Sequence, residues 1–332
     1  MINFIKSNIP LNDKNWFETG GSARYFCEPR STEELQHALV FAAQNNLPIF
    51  MLGHGANILI SDAGFDGLVI RSGLQSITIT HTHGDVIHVT ADAGVGMPDL
   101  IDWCLAHNLL GLEEFSGIPG TVGGSVYINL HYFQFFLEHF LVSAQVIEKA
   151  TGTVLTVEPD WFKFGYNQST LHAEQHYLVN ATFTLTRATD VQTAYARGRQ
   201  TEIIRHRAAR YPTAKTCGSF FRNFLPHEVT LESNGKKMIY TAYYLDKIGA
   251  KGTLKVGGAL VSHQHANMIV NAGNATSTDI ITLARTLQEK AKELFNIVPQ
   301  PECRLIGFKE YPLLQPSMAN PSINSGCQGI TL

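Results

Sequence analysis

The chain has 332 residues, 44% of them hydrophobic, with 28 Gly and 13 Pro. That is a length for two or three domains and a composition that builds a core without disulfide or metal staples. Only 16% of residues are charged, with 25 Lys+Arg against 28 Asp+Glu for a net charge of -3. This excludes bulk attraction to nucleic acid or to an acidic membrane surface, so any ligand takes a dedicated site. The cysteines (Cys27, Cys104, Cys217, Cys303 and Cys327) are scattered, without a C-x-x-C pair, and the histidines contain no H-E-x-x-H spacing. Neither a disulfide framework nor a metal site is expected. His81 and His83 would share one strand face and read as exposed hairpin residues. The opening residues lack a signal-peptide pattern, and no run approaches the roughly 18 apolar residues of a membrane span, so a cytoplasmic protein is expected.

The first unit spans 15–72. Ser31 and Glu34 form a capping box, and Leu35, Ala38, Leu39 and Ala42 recur on one helical face. A short strand from Pro48 meets Gly53, and residues 67–72 read as a buried strand, giving an α/β arrangement. From 73 to 200 the period shifts towards two. A hairpin turns at Gly84–Asp85, a helix follows at 98–107, a second hairpin turns at Thr151–Gly152, and 177–188 is a long strand. A basic helix, with Arg197, Arg199, Arg205, Arg207 and Arg210, covers 190–210 and is either a solvated face or part of an anion site. The third unit, 201–310, ends in a helix that Ser277 can cap, with Ile280, Leu283, Ala284, Leu287, Ala291 and Leu294 as its buried stripe. The tail, 311–332, is poor in periodicity and expected to be flexible.

Two glycine-rich segments, LGHGANILISD with Gly53 and Gly55, and GIPGTVGGSVYIN with Gly117, Gly120, Gly123 and Gly124, allow close backbone approach to an anion. Neither carries the G-x-G-x-x-G or Walker A pattern, so a flavin fits better than ATP or a doubly wound NAD domain.

The blocks LGHGANILISDAGFDGLVI, GIPGTVGGSVYIN, FKFGYNQS, CGSFFRN, KVGGALVSHQHANMIVN and PECRLIG, in this order over residues 17–308, resemble the UDP-N-acetylenolpyruvoylglucosamine reductase (UDP-N-acetylmuramate dehydrogenase) family, compact subtype. The resemblance implies an α+β protein: a two-subdomain FAD-binding fold of the vanillyl-alcohol-oxidase/PCMH type, then a smaller α+β substrate domain. It implies FAD and NADPH as cofactors, a UDP-sugar enolpyruvyl ether as substrate, and no obligate protein partner. FAD would be held by Leu52, Gly53, His54, Gly55, Ala56 and Asn57 of the first loop. The second loop would supply Gly117, Ile118, Pro119, Gly120, Thr121, Gly123, Gly124 and Ser125. Ser219 matches the family's proton donor and Glu302 its essential glutamate. Arg222, Asn223 and His265 are the expected substrate contacts, with Lys251 and Arg304 as further candidates near the pocket.

Three positions depart from the family pattern. In place of the catalytic arginine of G-Y-R-x-S stands Asn167, which donates hydrogen bonds but carries no charge. Leu130-His131-Tyr132-Phe133-Gln134-Phe135-Phe136 replaces a small, glycine-rich stretch, and Ala56 replaces a loop serine. Three readings stay open: a working cell-wall reductase, a related FAD oxidoreductase with an altered substrate, and a non-catalytic FAD- or nucleotide-binding homologue.

Overall fold

The computed structural model describes residues 4–315. Its first sheet has the order β1-β2-β5-β3, from β1 (Lys6–Pro10), β2 (Ser22–Cys27), β3 (Ile49–Leu52) and β5 (Phe65–Arg71). β1 and β2 are antiparallel, while β2, β5 and β3 run parallel. The unit therefore begins with β1, before the expected boundary at 15. Helix α1 (Thr32–Gln44) starts where Ser31 accepts a hydrogen bond from Glu34 N, and it buries Leu35, Ala38, Leu39 and Ala42 as the sequence pattern requires. The short β4 (Ile58–Ile60) lies outside this sheet.

The second sheet is antiparallel, ordered β12-β11-β13-β7-β6, with β8 (Leu109–Leu110) also on β13. It comprises β6 (Ile77–His83), β7 (Val86–Asp92), β11 (Leu141–Glu148), β12 (Val154–Val157) and β13 (His176–Arg187). Both expected hairpins form, and His81 and His83 are exposed on the edge strand β6. Helix α2 (Met97–Ala106) and the short α3 (Val122–Tyr127) close its core, in which Leu100, Ile101 and Val122 join Val89, Val146 and Phe183. Between them in sequence and β11 lies a small hairpin, β9 (His131–Tyr132) with β10 (Phe135–Phe136). Helix α4 (Asp190–Arg210) is continuous, so the expected division at 200 falls inside it and the boundary moves to its end.

The third unit contains a hairpin, β14 (Glu232–Ser233) with β15 (Lys236–Lys237), and α5 (Thr241–Lys247). A three-stranded antiparallel sheet follows: β16 (Lys255–Val256), β17 (Ala259–Val261) and β18 (Ile269–Asn271). Helix α6 (Ser277–Phe295) then packs on it, and β19 (Arg304–Ile306) closes the unit. The N-cap of α6 is Thr276, not Ser277. Ser277 is fully buried and its hydroxyl donates to Ile60 O instead. Leu294 also leaves the expected stripe and is 58% exposed, since the helix face turns away from the core in its last turn. Leu313 is buried and Leu314 exchanges hydrogen bonds with the Gln288 side chain, so the flexible tail does not begin at 311; positions 316–332 of that expectation lie outside the described residues.

The last strand returns to the first unit. β19 pairs in parallel with β4, Arg304 opposite Ile58 and Ile306 opposite Ile60. Phe17 and Leu59 pack in the same core as Phe220, Ala284 and Leu287. This pairing carries the segment before Arg304 to the first glycine loop.

Candidate active site

The two glycine loops lean on each other. A Cβ at Gly53 would lie 2.8 Å from Thr121 Oγ1. Gly55 has φ +68 and a Cβ there would meet Asn15 Cα at 2.5 Å, so no larger residue fits. Only part of their backbone is free for an anion. The N–H groups of Val122, Gly123, Gly124 and Ser125 are used by Val95 O, Ala93 O, Thr121 Oγ1 and Thr121 O. Those of His54, Gly55 and Ala56 in the first loop, and of Gly117, Gly120 and Thr121 in the second, enter no hydrogen bond with protein among the described residues, so both loops present open donors. Ala56 costs the first loop nothing here, because the donors are backbone. Asn57 Oδ1 and Thr216 Oγ1 are buried without partners and line the same cavity. A cavity of about 610 Å³ runs between the loops and the third unit. Its glycine walls, unmet donors and unmet acceptors suit an elongated, polar, pyrophosphate-bearing ligand such as FAD.

Opposite the loops, two chain segments are locked side by side. Glu302 N and Cys303 N both donate to Phe220 O, at 2.9 and 3.2 Å, and Arg222 N donates to Gln300 O at 2.9 Å. Asn267 clamps the first of these segments: Phe221 N donates to its Oδ1 and its Nδ2 donates to Phe221 O, at 3.1 and 2.7 Å. Ser219 and Glu302 thus line the cavity from two adjacent segments. Asn57 ties this pair to the loop, since its carbonyl accepts from Arg304 N at 3.1 Å. Burial pushes the Glu302 carboxyl up to about 7, only partly offset by the Asn167 amide, so its protonated and ionised forms coexist at neutral pH. Cavity solvent still reaches the residue, which is half-buried by accessible surface.

Asn167 sits on a two-residue turn, Tyr166–Asn167, closed by Gly165 N to Gln168 O and Gln168 N to Gly165 O at 3.0 and 3.3 Å. Its φ of 55 lies in the left-handed region, which asparagine tolerates better than arginine does. Asn129 fixes the turn by donating from Nδ2 to Gly165 O. Although the Asn167 amide biases Glu302, its Nδ2 is buried and makes no aligned hydrogen bond to any described residue.

Two family models match the chain: FAD binding domain over residues 23–158, and UDP-N-acetylenolpyruvoylglucosamine reductase, C-terminal domain, over 210–306. The UDP-N-acetylenolpyruvoylglucosamine reductase of a Nostoc species is 35% identical over 91% of this chain and 86% of its own length. The enzyme of that name from Latilactobacillus sakei is 32% identical over 92% of this chain and 94% of its own. The chain belongs to the UDP-N-acetylenolpyruvoylglucosamine reductase family. Its structure resembles the reductase of Thermus caldophilus, with a TM-score of 0.74, 26% identity, and coverage of 91% of this chain and 100% of that one. The α+β fold with an N-terminal FAD-binding region is that of the family.

Within the reductase frame, the fourteen loop residues expected to hold FAD all line the cavity, as do Ser219, Glu302, Asn167, Asn223 and His265. Arg222 does not. Its guanidinium is closed on Glu228 by two 2.7 Å hydrogen bonds and on Asn223 O, and that pairing holds its charge away from the cavity wall. Lys251 is likewise off the wall, near Asp246. His265 is held below its usual range by burial and by Arg210 and Lys251, so it faces the cavity neutral. Arg304 lines the wall, bonded to Glu174 at 2.9 Å and stacked 4.6 Å over the Tyr127 ring. Of the basic helix, Arg207 reaches the cavity, donating to Gly117 O between the rings of Tyr132 and Tyr211. Sequence reasoning missed Asn267 and the wall residues Tyr127, Tyr211 and Glu174. The HANMIVN block held the signal for Asn267, but nothing local marks an asparagine as a clamp.

Proposed function

We propose that the protein reduces UDP-N-acetylglucosamine enolpyruvate to UDP-N-acetylmuramate, using FAD and NADPH, as a cytoplasmic step of peptidoglycan precursor synthesis. The observation that carries this reading is that Ser219 and Glu302, on two hydrogen-bonded segments, line one cavity together with the glycine loops. Family membership supports the reaction class. FAD, when bound along the 52–57 and 117–125 loops, supplies hydride taken from the nicotinamide.

The chain's own residues handle charge and the proton. Reduction of an enolpyruvyl ether adds hydride at the terminal carbon and a proton at the carbon bearing the ether oxygen. The negative charge that develops there spreads onto the substrate carboxylate. Ser219 Oγ holds the proton for that carbon; a hydroxyl is a weak acid in water but gives its proton to a strongly basic enolate at hydrogen-bonding distance. Glu302, in its acid form, stabilises the developing charge as a preorganised donor. Tyr132, Phe133 and Tyr166 also line the cavity.

Anaerobic titration tests the reading. NADPH should bleach the yellow holoprotein, and UDP-N-acetylglucosamine enolpyruvate should restore the colour. Bleaching without reoxidation by this ether would transfer the reading to an altered substrate. A colourless protein that takes up no FAD would end both enzymatic readings.

A further inference from the structure

The hairpin of β9 and β10 carries an aromatic ring where its backbone favours glycine. Tyr132 pairs with Phe135, so Phe133 and Gln134 form a two-residue loop, and Phe133 has φ 52. A positive φ at the first position of such a loop suits glycine or asparagine, and a phenylalanine there is strained. The residues around it are held in place. The Tyr132 ring lies 5.5 Å from the Arg207 guanidinium, and the His131 ring lies 5.1 Å from that of Tyr166 and 5.5 Å from that of Phe136. Phe135 packs against the core of the second unit. Phe133 itself meets the Tyr132 ring edge-on at 4.6 Å and is 70% exposed. Among the described residues it is the most exposed aromatic ring on the cavity wall. Backbone strain of this kind persists where a ligand clamp needs it, and here it holds a ring out at the cavity and not in the core.

We infer that Phe133 is a stacking platform for the nucleobase of the ligands that enter and leave this cavity. The inference rests on the proposed reaction, in which a UDP-sugar and NADPH each bring a base at the end remote from the reacting group. The reacting group has to reach the inner wall with Ser219 and Glu302, which leaves the base at the solvent-exposed rim where Phe133 stands. Nearby cations are already engaged there, Arg207 by Gly117 O and two tyrosine rings and Arg304 by Glu174. What the rim offers a base is therefore a ring face. Every base has a π-face, so one phenyl ring serves uracil and adenine alike.

The test uses the FAD-loaded protein, with UDP-N-acetylmuramate and NADP⁺ as separate probes and calorimetry to read their dissociation constants. Phe133→Ala should weaken one or both by about tenfold, the loss expected for one stacked base, whereas Phe133→Trp should stay within about threefold of the unsubstituted protein. Loss confined to UDP-N-acetylmuramate identifies uracil as the stacked base, and loss confined to NADP⁺ identifies the base of the nicotinamide nucleotide; either supports the platform. Phe133→Gly removes the ring and the strain together. Its unfolding midpoint should not fall below that of the unsubstituted protein, while its affinity falls as in Phe133→Ala. In turnover the loss should appear in KM more than in kcat, because the hydrogen bonds joining the Phe220 and Glu302 segments are untouched. Unchanged affinity for both probes in Phe133→Ala or Phe133→Gly overturns the platform and leaves the proposed reaction standing. Full affinity in Phe133→Leu also overturns it, since an aliphatic cover would then suffice. If neither probe binds the unsubstituted protein, the proposed reaction fails and the platform fails with it.

Discussion

Asn167 shows how one side chain changes the electrostatics of a conserved-looking architecture. The turn that carries it has φ 55, a conformation that costs most residues about 1–2 kcal/mol and asparagine less. Asn167→Arg therefore meets two opposing effects: local backbone strain, and a cation beside Glu302. A charge at that distance lowers a carboxyl by about 1–3 pH units. In the variant, we expect the ionisation seen in the pH profile of kcat/KM to move down from about 7 by at least one unit, which a profile from pH 5 to 9 measures. Ser219 gives a sharper outcome. Ser219→Ala removes the proton donor without touching either glycine loop, so the flavin should stay bound while kcat falls about 10²–10⁴-fold. A variant with unaltered kcat would remove Ser219 from the mechanism. Both residues were legible in the sequence as positions, because CGSFFRN and FKFGYNQS resemble family blocks. Their surroundings were not. Nothing in one sequence shows that Arg222 spends its charge on Glu228, a partner six residues away, or that burial pushes the Glu302 carboxyl up to about 7.

Elements follow the sequence where a local rule governs them and depart where a distant group intervenes. Helix α1 forms as its Ser31 cap and apolar face dictate, although the Glu34 carboxylate accepts from Arg30 N and so leaves the capping box half-made, and the hairpins turn at the glycines that permit them. Helix α6 is the instructive exception. Thr276 caps it, and a residue 215 positions earlier completes the cap: Asp62 accepts hydrogen bonds from Ser277 N, Thr278 N and Thr278 Oγ1 at 2.8, 2.9 and 2.7 Å. The carboxylate sits where the helix dipole favours negative charge. It also fastens the third unit to the first, next to β4 and β19. Asp62→Ala should cost about 1–2 kcal/mol, read as a lower midpoint in thermal or urea unfolding, with kcat changed less than KM because the backbone hydrogen bonds that hold Glu302 beside Phe220 are untouched. Asn267→Ala should do the reverse. It frees Phe221 from both hydrogen bonds, so kcat should drop even where the flavin spectrum shows a loaded protein.

At the scale of the whole molecule, the low charge noted at the start has a structural counterpart. The glycine loops offer backbone N–H groups to the cavity, so an anionic ligand can be held there without a lysine cluster. Among the described residues, the carboxyl that burial shifts most is that of Glu302. Glu302 binds its proton more tightly in the folded protein, at about 7, than in the unfolded chain, near 4.5. Between those values the folded state holds more protons, so unfolding releases them and stability falls as pH rises. Below about 4.5 both states are protonated and the residue is neutral in effect. Above about 7 both are ionised and the full penalty applies, about 3 kcal/mol from the size of the difference. Glu302→Gln removes the titration and keeps the shape. Urea unfolding of the two FAD-saturated proteins should give similar stabilities at pH 5 and a variant more stable by about 3 kcal/mol at pH 8.5. Equal stabilities at both pH values would mean that Glu302 is solvated in the folded protein.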